Sequence, residues 1–234
     1  ARGGMVGGGD GALAGVVDDV VGKDVVFAVL PLGTANSFAR TLGIPLDLDG
    51  AIQTIATGKR RRVDLGMIDG DYFANAAAMG LSPMIGKTVP HNLKKYLGRV
   101  GYLAWALWCF TRFRPFRVTV TDACGAHRMW ASEVRILNGK FHGGVVMSDE
   151  ASVESGEMLI QVVTGRNRWR LAWDWYLRFF RLRGREKMVE EFRGTELKLD
   201  ARPRRSISID GEVLARVPVT VRVAQRAIDV VVPA

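Results

Sequence analysis

The sequence predicts α/β plus all-β architecture: an α/β unit over residues 1–58, then a larger β-sandwich-type unit over residues 59–234. Three observations predict it. A glycine turn, Gly7-Gly8-Gly9-Asp10-Gly11, opens an apolar stretch at 16–21 with the content of a helix. The unbroken apolar run 25–30 then reads as a strand buried on both faces, and it stops at Pro31 in a second turn. Turn, helix, strand and turn within about 40 residues match a βαβ unit. Beyond Gly58, short β-type stretches separated by turns suggest a sandwich or barrel.

Bulk properties narrow the partners. With 48% apolar residues the 234-residue chain can bury a core. Cys109 and Cys124 make no disulfide framework or metal-ligand spacing and fit a reducing, cytoplasmic compartment. No signal peptide is visible, and the longest apolar run, 100–110, is far shorter than the ~20 residues needed to span a bilayer. The formal net charge of +9 favours an anionic partner: a nucleotide, a nucleic acid or an anionic membrane surface. The basic residues are not spaced as a nucleic-acid reader, so nucleic acid is the weakest of the three.

Residues 1–6 carry at most a stub of the strand expected before the glycine loop, so earlier strand–helix units are expected upstream. Adjacent glycines let backbone amides approach a bound group, and a helix opening there adds its positive dipole end, which is a phosphate cradle. Asp10 inside such a loop calls for a divalent cation between carboxylate and phosphate. The alternative is a glycine-rich surface turn. Asn36 and Ser37 suit the N-cap of a second helix through Ala39. Both turns then lie at one edge of a sheet, where α/β proteins bind ligands. Residues 50–57 form a short helix ending at Gly58. The run Lys59-Arg60-Arg61-Arg62 reads as a solvated strand entry, with a binding patch as the alternative, and 63–68, Asp69-Gly70-Asp71 and 72–76 read as strand, turn, strand.

In the β-rich part, 97–113 reads as a core-covering helix with Tyr102, Trp105, Leu107 and Trp108 on its apolar side. Strands are expected at 116–121, 128–137, 158–163, 196–199, 205–209, 217–223 and 228–232. In the helical segment 168–183, Trp169, Trp173, Tyr176 and Phe180 fall along one face, surrounded by arginines. Two readings stand: aromatics packed on the sheet with arginines in solvent, or an interfacial helix at the headgroup level of an anionic membrane. Ile209-Asp210-Gly211-Glu212-Val213 reads by itself as a hairpin turn.

In order along the chain, Gly8-Gly9-Asp10-Gly11, Pro31-Leu32-Gly33-Thr34-Ala35-Asn36, Asp64-Leu65-Gly66, Asn75, Gly80 and Asp210-Gly211-Glu212 resemble the diacylglycerol-kinase catalytic family, which includes bacterial soluble lipid kinases and sphingosine kinases. The glycine loop by itself is also similar to those of NAD kinases and phosphofructokinases. The resemblance implies a three-layer α/β nucleotide-binding domain of phosphofructokinase/NAD kinase-like type, incomplete at its N-terminus, and a β-rich lipid-substrate domain across a cleft. It implies an ATP-dependent lipid kinase using ATP and Mg²⁺, associated peripherally with an anionic membrane, and it leaves room for a homodimer. By position, Gly8, Gly9, Asp10, Gly11 and Ala12 would line the phosphates, Thr34 would contact ATP and Asn36 would order the second loop. Asp210 and Glu212 would supply the catalytic base. Four positions depart from the family pattern. Ala12 stands for threonine and Gly15 for an acidic residue, Ser37 stands for aspartate, and Ser155 replaces an aspartate in the Gly143-Gly144 to Gly156 segment that resembles a structural magnesium loop. Reduced turnover is the expected consequence. A non-catalytic lipid- or nucleotide-binding relative and a NAD kinase-like enzyme are the alternatives.

Overall fold

The computed structural model describes residues 2–89, 101, 104–180, 188–210 and 212–234. Strand β1 (Arg2–Gly8) runs into helix α1 (Asp10–Val20), and β2 (Val25–Pro31) returns parallel to β1, pairing Gly8 with Pro31. β1 is a full strand rather than a stub, because backbone pairing to β2 holds what its glycines cannot. α1 begins at Asp10, six residues before the apolar stretch that marks it in the sequence, with Leu13 and Val17 as its buried face. α2 (Ser37–Leu42) closes at Gly43, whose φ of 74° suits glycine. α3 (Leu48–Thr57) starts two residues earlier than expected because the Asp47 carboxylate accepts the Gly50 N–H at 2.8 Å.

β3 (Lys59–Ile68) and β4 (Asp71–Phe73) form the expected hairpin, and β5 (Ala76–Gly80) leads into α4 (Leu81–Thr88). The segment expected as one strand over 72–76 is broken at Ala74-Asn75. α5 covers residues 104–112; residues 97–100 and Tyr102 lie outside the described set. Its inward residues are Cys109 and Phe110, followed by Phe113, while Leu107 and Trp108 are exposed. The apolar side expected for this helix is thus turned, and just beyond its end the buried Phe113 ring meets Phe116 of the sheet edge-to-face, with centroids 6.5 Å apart.

β6 (Phe116–Asp122), β7 (Gly125–Leu137), the short pair β8 (Phe141–His142) and β9 (Val145–Val146), and β10 (Met158–Thr164) precede α6 (Trp169–Phe179). β11 (Val189–Gly194), β12 (Glu196–Arg202), β13 (Ser206–Ile209), β14 (Glu212–Arg216) and β15 (Val219–Val232) complete the chain. β11 and β14 are strands that the sequence pattern did not mark.

Among the described residues, thirteen strands join in one sheet whose main path is β1-β2-β15-β12-β6-β7-β5-β13-β14. The two strands expected at 217–223 and 228–232 are one long strand, β15. Its last part lies parallel to β2, pairing Val230 with Phe27, and its first part lies antiparallel to β12. A register shift after Ala224 makes this switch, with Arg226 at φ 51°. The buried Asp64 carboxylate holds the bend by accepting the N–H groups of Arg226 at 2.7 Å and Gly156 at 2.8 Å. One hydrophobic cluster fills the β-rich part around Phe73, Phe116 and Ile136. A second packs α1, α2 and α3 against β2, β3 and the end of β15.

Candidate functional site

The glycine loop and the second loop touch. A Cβ on Gly33 would overlap the Gly9 Cα and meet Asn36 Oδ1 at 2.8 Å, so both positions require glycine for close backbone approach. The second loop is built by Asn36. Its Nδ2 donates to the carbonyls of Pro31 (3.0 Å) and Gly33 (2.8 Å), and its Oδ1 accepts the Gly33 N–H (2.9 Å). With its side chain committed there and φ at 48°, Asn36 does not cap α2. The cap comes from Asp10 instead. Its Oδ2 accepts the Ser37 N–H at 3.0 Å and its Oδ1 the Phe38 N–H at 3.2 Å. A carboxylate at the positive end of a helix is favourable on charge as well. α1 itself has no side-chain cap at Gly9, which leaves the amides of its first turn without that partner.

Asp10 also accepts Asn75 Nδ2 at 3.1 Å on Oδ1. Asn75 lies at the break between β4 and β5, and that break turns the backbone N–H groups of Ala74 and Ala76 toward Asp210. They donate to its carboxylate at 3.0 and 3.2 Å. Asp210 sits at the tip of the β13–β14 hairpin, where Ile209 pairs with Glu212, at φ 44°. Aspartate tolerates this left-handed conformation better than most residues. Burial pushes the Asp210 carboxyl up from 3.8 to about 6; the backbone donors at Ala76 and Ala74 oppose that rise and Asp10 adds to it by like-charge repulsion. The three-residue stretch 74–76 thus binds both aspartates, which are 200 positions apart in sequence.

Asn138 and His142 reach this centre without having been singled out from the sequence. Asn138 donates Nδ2 to the carbonyls of Asp64 (2.9 Å) and Ala74 (2.8 Å), fixing the break. His142 lies close enough to feel Glu133, Arg135 and Asp10, and burial holds it below its usual value. Ser37 Oγ accepts the Gly144 N–H at 3.2 Å, tying the second loop to the β8–β9 turn. Only the buried polar character of Asn138 and His142 could have flagged those two. Of the expected site residues, Gly8, Gly9, Asp10, Gly11 and Ala12 form the loop and first turn of α1, and Thr34 is exposed on the second loop. Glu212 starts β14, and its side chain lies outside the described set. Ala12 Cβ occupies the space beside Gly8 that a Cβ there would need. Ser155 Oγ is spent on the carbonyls of Ser152 and Glu157 within its own loop. Among the described residues no three His, Cys, Asp or Glu side chains group as a metal site.

Comparison with known proteins adds six findings. Residues 4–68 match the family described as the diacylglycerol kinase catalytic domain, and residues 75–232 match the YegS C-terminal NAD kinase beta sandwich-like domain. A protein of Klebsiella pneumoniae named probable lipid kinase YegS-like is 32% identical over 168 residues, covering 69% of this chain and 56% of the relative. One of the same name from Pseudomonas syringae is 34% identical over 145 residues, covering 60% and 46%. The chain therefore spans about half the length of the curated relatives it matches. A crystal structure of a diacylglycerol kinase from Bacillus anthracis superposes with TM-score 0.76 at 19% identity, covering 99% of this chain and 76% of that one. Yeast NADH kinase superposes with TM-score 0.52 at 12% identity, covering 100% and 62%; both likenesses concern the fold.

Proposed function

Since the chain belongs to the family that joins a diacylglycerol kinase catalytic domain to a YegS C-terminal domain, we propose that it acts as an ATP-dependent lipid kinase. In this reading it transfers the γ-phosphate to the hydroxyl of a diacylglycerol-like lipid. Residues 1–58 would hold the nucleotide and 59–234 the lipid. The observation that carries the reading is the convergence of Asp10 and Asp210 on residues 74–76.

Each part has a chemical task. The glycine-lined first turn of α1 offers backbone N–H groups to phosphate oxygens, and Thr34 stands exposed beside it for further contact. Asn36 keeps the second loop in place. Asp210 is the base. A carboxyl near 6 is mostly ionised at neutral pH, yet basic enough to take the proton of an attacking hydroxyl, the match that general-base catalysis favours. The proton goes to the Asp210 carboxylate as the lipid oxygen bonds to phosphorus and ADP leaves. Glu212, the next acidic residue on the hairpin, would support it.

The donor set at Asp10 suits Mg²⁺ in a limited way. Its Oδ1 already accepts two hydrogen bonds and its Oδ2 one, and the neighbouring Asn75 Oδ1 is buried without a hydrogen-bond partner. One carboxylate is enough protein ligand for a magnesium ion when phosphates and water complete its shell. When bound, the ion would screen Asp10 from the phosphates.

One observation favours a second reading. Asp10 works as the cap of α2 whatever else it does, so the loop is also built to persist in a relative that binds nucleotide or lipid without transferring phosphate. Incubation of the protein with labelled ATP, Mg²⁺ and diacylglycerol, phosphatidylglycerol or a sphingoid base in mixed micelles separates the two. Transfer to one acceptor, reduced ~10²–10⁴-fold in Asp210→Asn, supports the kinase. ATP binding with no transfer to any acceptor supports the non-catalytic relative.

A further inference from the structure

α6 lies on the sheet with its aromatic stripe outward. Its buried residues are Leu171, Asp174 and Leu177, whereas Trp169 is 63%, Trp173 55%, Tyr176 45% and Phe180 56% exposed. The inward side is fixed by charge. Arg135, on β7, is fully buried between Glu133 (2.8 Å) and Asp174 (2.8 Å), so turning the helix over would take away one of its two carboxylates. The outward rings form a ladder, Trp173 on Tyr176 at 5.1 Å and Tyr176 on Phe180 at 4.8 Å. α5 extends the patch, since Phe110 meets Trp169 edge-on at 5.1 Å and Arg168 donates to the Thr111 carbonyl. Leu107 and Trp108 are exposed beside it.

The same outer face of the sheet continues past α6 as a row of arginines. Arg166 and Arg117 stack on Trp130 at 4.8 and 5.3 Å, and Arg117 pairs directly with Arg202 on the next strand. Like charges directly opposed on neighbouring strands are destabilising unless an anion lies over them. Arg128 joins them, with Asp200 the carboxylate in this groove. Asp174, the acidic residue of α6, is the buried partner of Arg135. After Phe180 the sequence continues Arg181-Leu182-Arg183-Gly184-Arg185-Glu186-Lys187.

We infer that α5, α6 and the Trp130 arginine row form one docking face for an anionic phospholipid bilayer. Exposed Trp and Tyr rings are the side chains that settle at headgroup depth, and adjoining arginines meet lipid phosphates. Among the described residues no helix is long and apolar enough to cross a membrane, so engagement is along the surface. The catalytic centre is close to this face, because Trp175 of α6 packs against the cluster of Ala76, Leu137 and Met147, and the Ala76 N–H donates to Asp210. The inference goes beyond phosphoryl transfer and is tested without it.

The test is co-sedimentation with vesicles of phosphatidylglycerol and phosphatidylcholine in equal parts, and of phosphatidylcholine alone. Binding to the anionic vesicles is expected, weakened severalfold between 0.05 and 0.5 M salt as the Debye length shrinks from ~14 to ~4 Å. The double variant Trp173→Ser, Tyr176→Ser should lose about tenfold or more in vesicle affinity, and Arg117→Glu, on a different element, about fivefold or more. Both should keep wild-type ATP affinity. Equal binding to neutral vesicles without salt dependence would overturn the inference, as would affinity unchanged in both variants. A wild-type dimer in sedimentation velocity that the double variant abolishes would reassign the face to a second copy of the chain.

Discussion

Asp210 carries a stability cost that can be read out by pH. Its carboxyl rises from 3.8 to about 6 in the folded chain, chiefly through burial. Between those values the unfolded chain has released this proton while the folded chain keeps it, so the unfolded state binds fewer protons and stability falls as pH rises. Below 3.8 both states are protonated and the cost vanishes; above about 6 it is fully present. At 1.36 kcal/mol per tenfold step in acidity the full cost is ~3 kcal/mol, and solvent access at this part-buried turn lowers it to ~1–2 kcal/mol. Asp210→Asn removes the titration. It also loses one acceptor for the Ala74 and Ala76 N–H groups, a pH-independent penalty of ~1–3 kcal/mol. The informative quantity is therefore the difference between wild type and variant as a function of pH, in which all other titrating groups cancel. Thermal unfolding at pH 4 and pH 7 should show wild type losing ~2–8 °C relative to Asp210→Asn, at ~2–4 °C per kcal/mol for a chain of this size. Parallel melting curves across that range would refute a raised Asp210 carboxyl, and with it the base assigned to it.

Three further outcomes are expected. Asp10→Ala strips the cap from α2 and leaves the Asn75 amide without its acceptor, so urea denaturation should show a loss of ~2–4 kcal/mol, compounded from ~1 for the cap and ~1–3 for the buried donor. Gly15→Ala, in mid-α1 with open space around the added methyl, should raise stability by ~0.5–1 kcal/mol in the same assay. Arg135→Met leaves Glu133 and Asp174 buried without their cation and should cost ~3–5 kcal/mol, with loss of α6 docking seen as a change in near-ultraviolet circular dichroism.

The sequence by itself determined the local pieces. Gly9 and Gly33 marked turns because those positions need backbone that a side chain would block. The run 25–30 marked a two-sided strand through its unbroken β-branched character, and Asp69-Gly70 marked a hairpin. These signals depend on residues within a few positions of each other, which is why they survive without the fold. What only the tertiary structure decided involves partners far apart in the chain. Asn36 sits where an N-cap belongs, yet the carboxylate that caps α2 is Asp10, 27 positions away, because the glycine loop is laid against the second loop by β1–β2 pairing. The strand expected through Asn75 is broken so that its amides can meet Asp210. β15 serves both parts of the molecule through a bend held by Asp64. The stripe Trp169, Trp173, Tyr176 and Phe180 established the period of α6 but not which side faces inward. Hydrophobicity favoured burying the rings. The fold instead buried Asp174, which completes the pairing of Arg135, enclosed in the sheet beside Glu133 on the same strand.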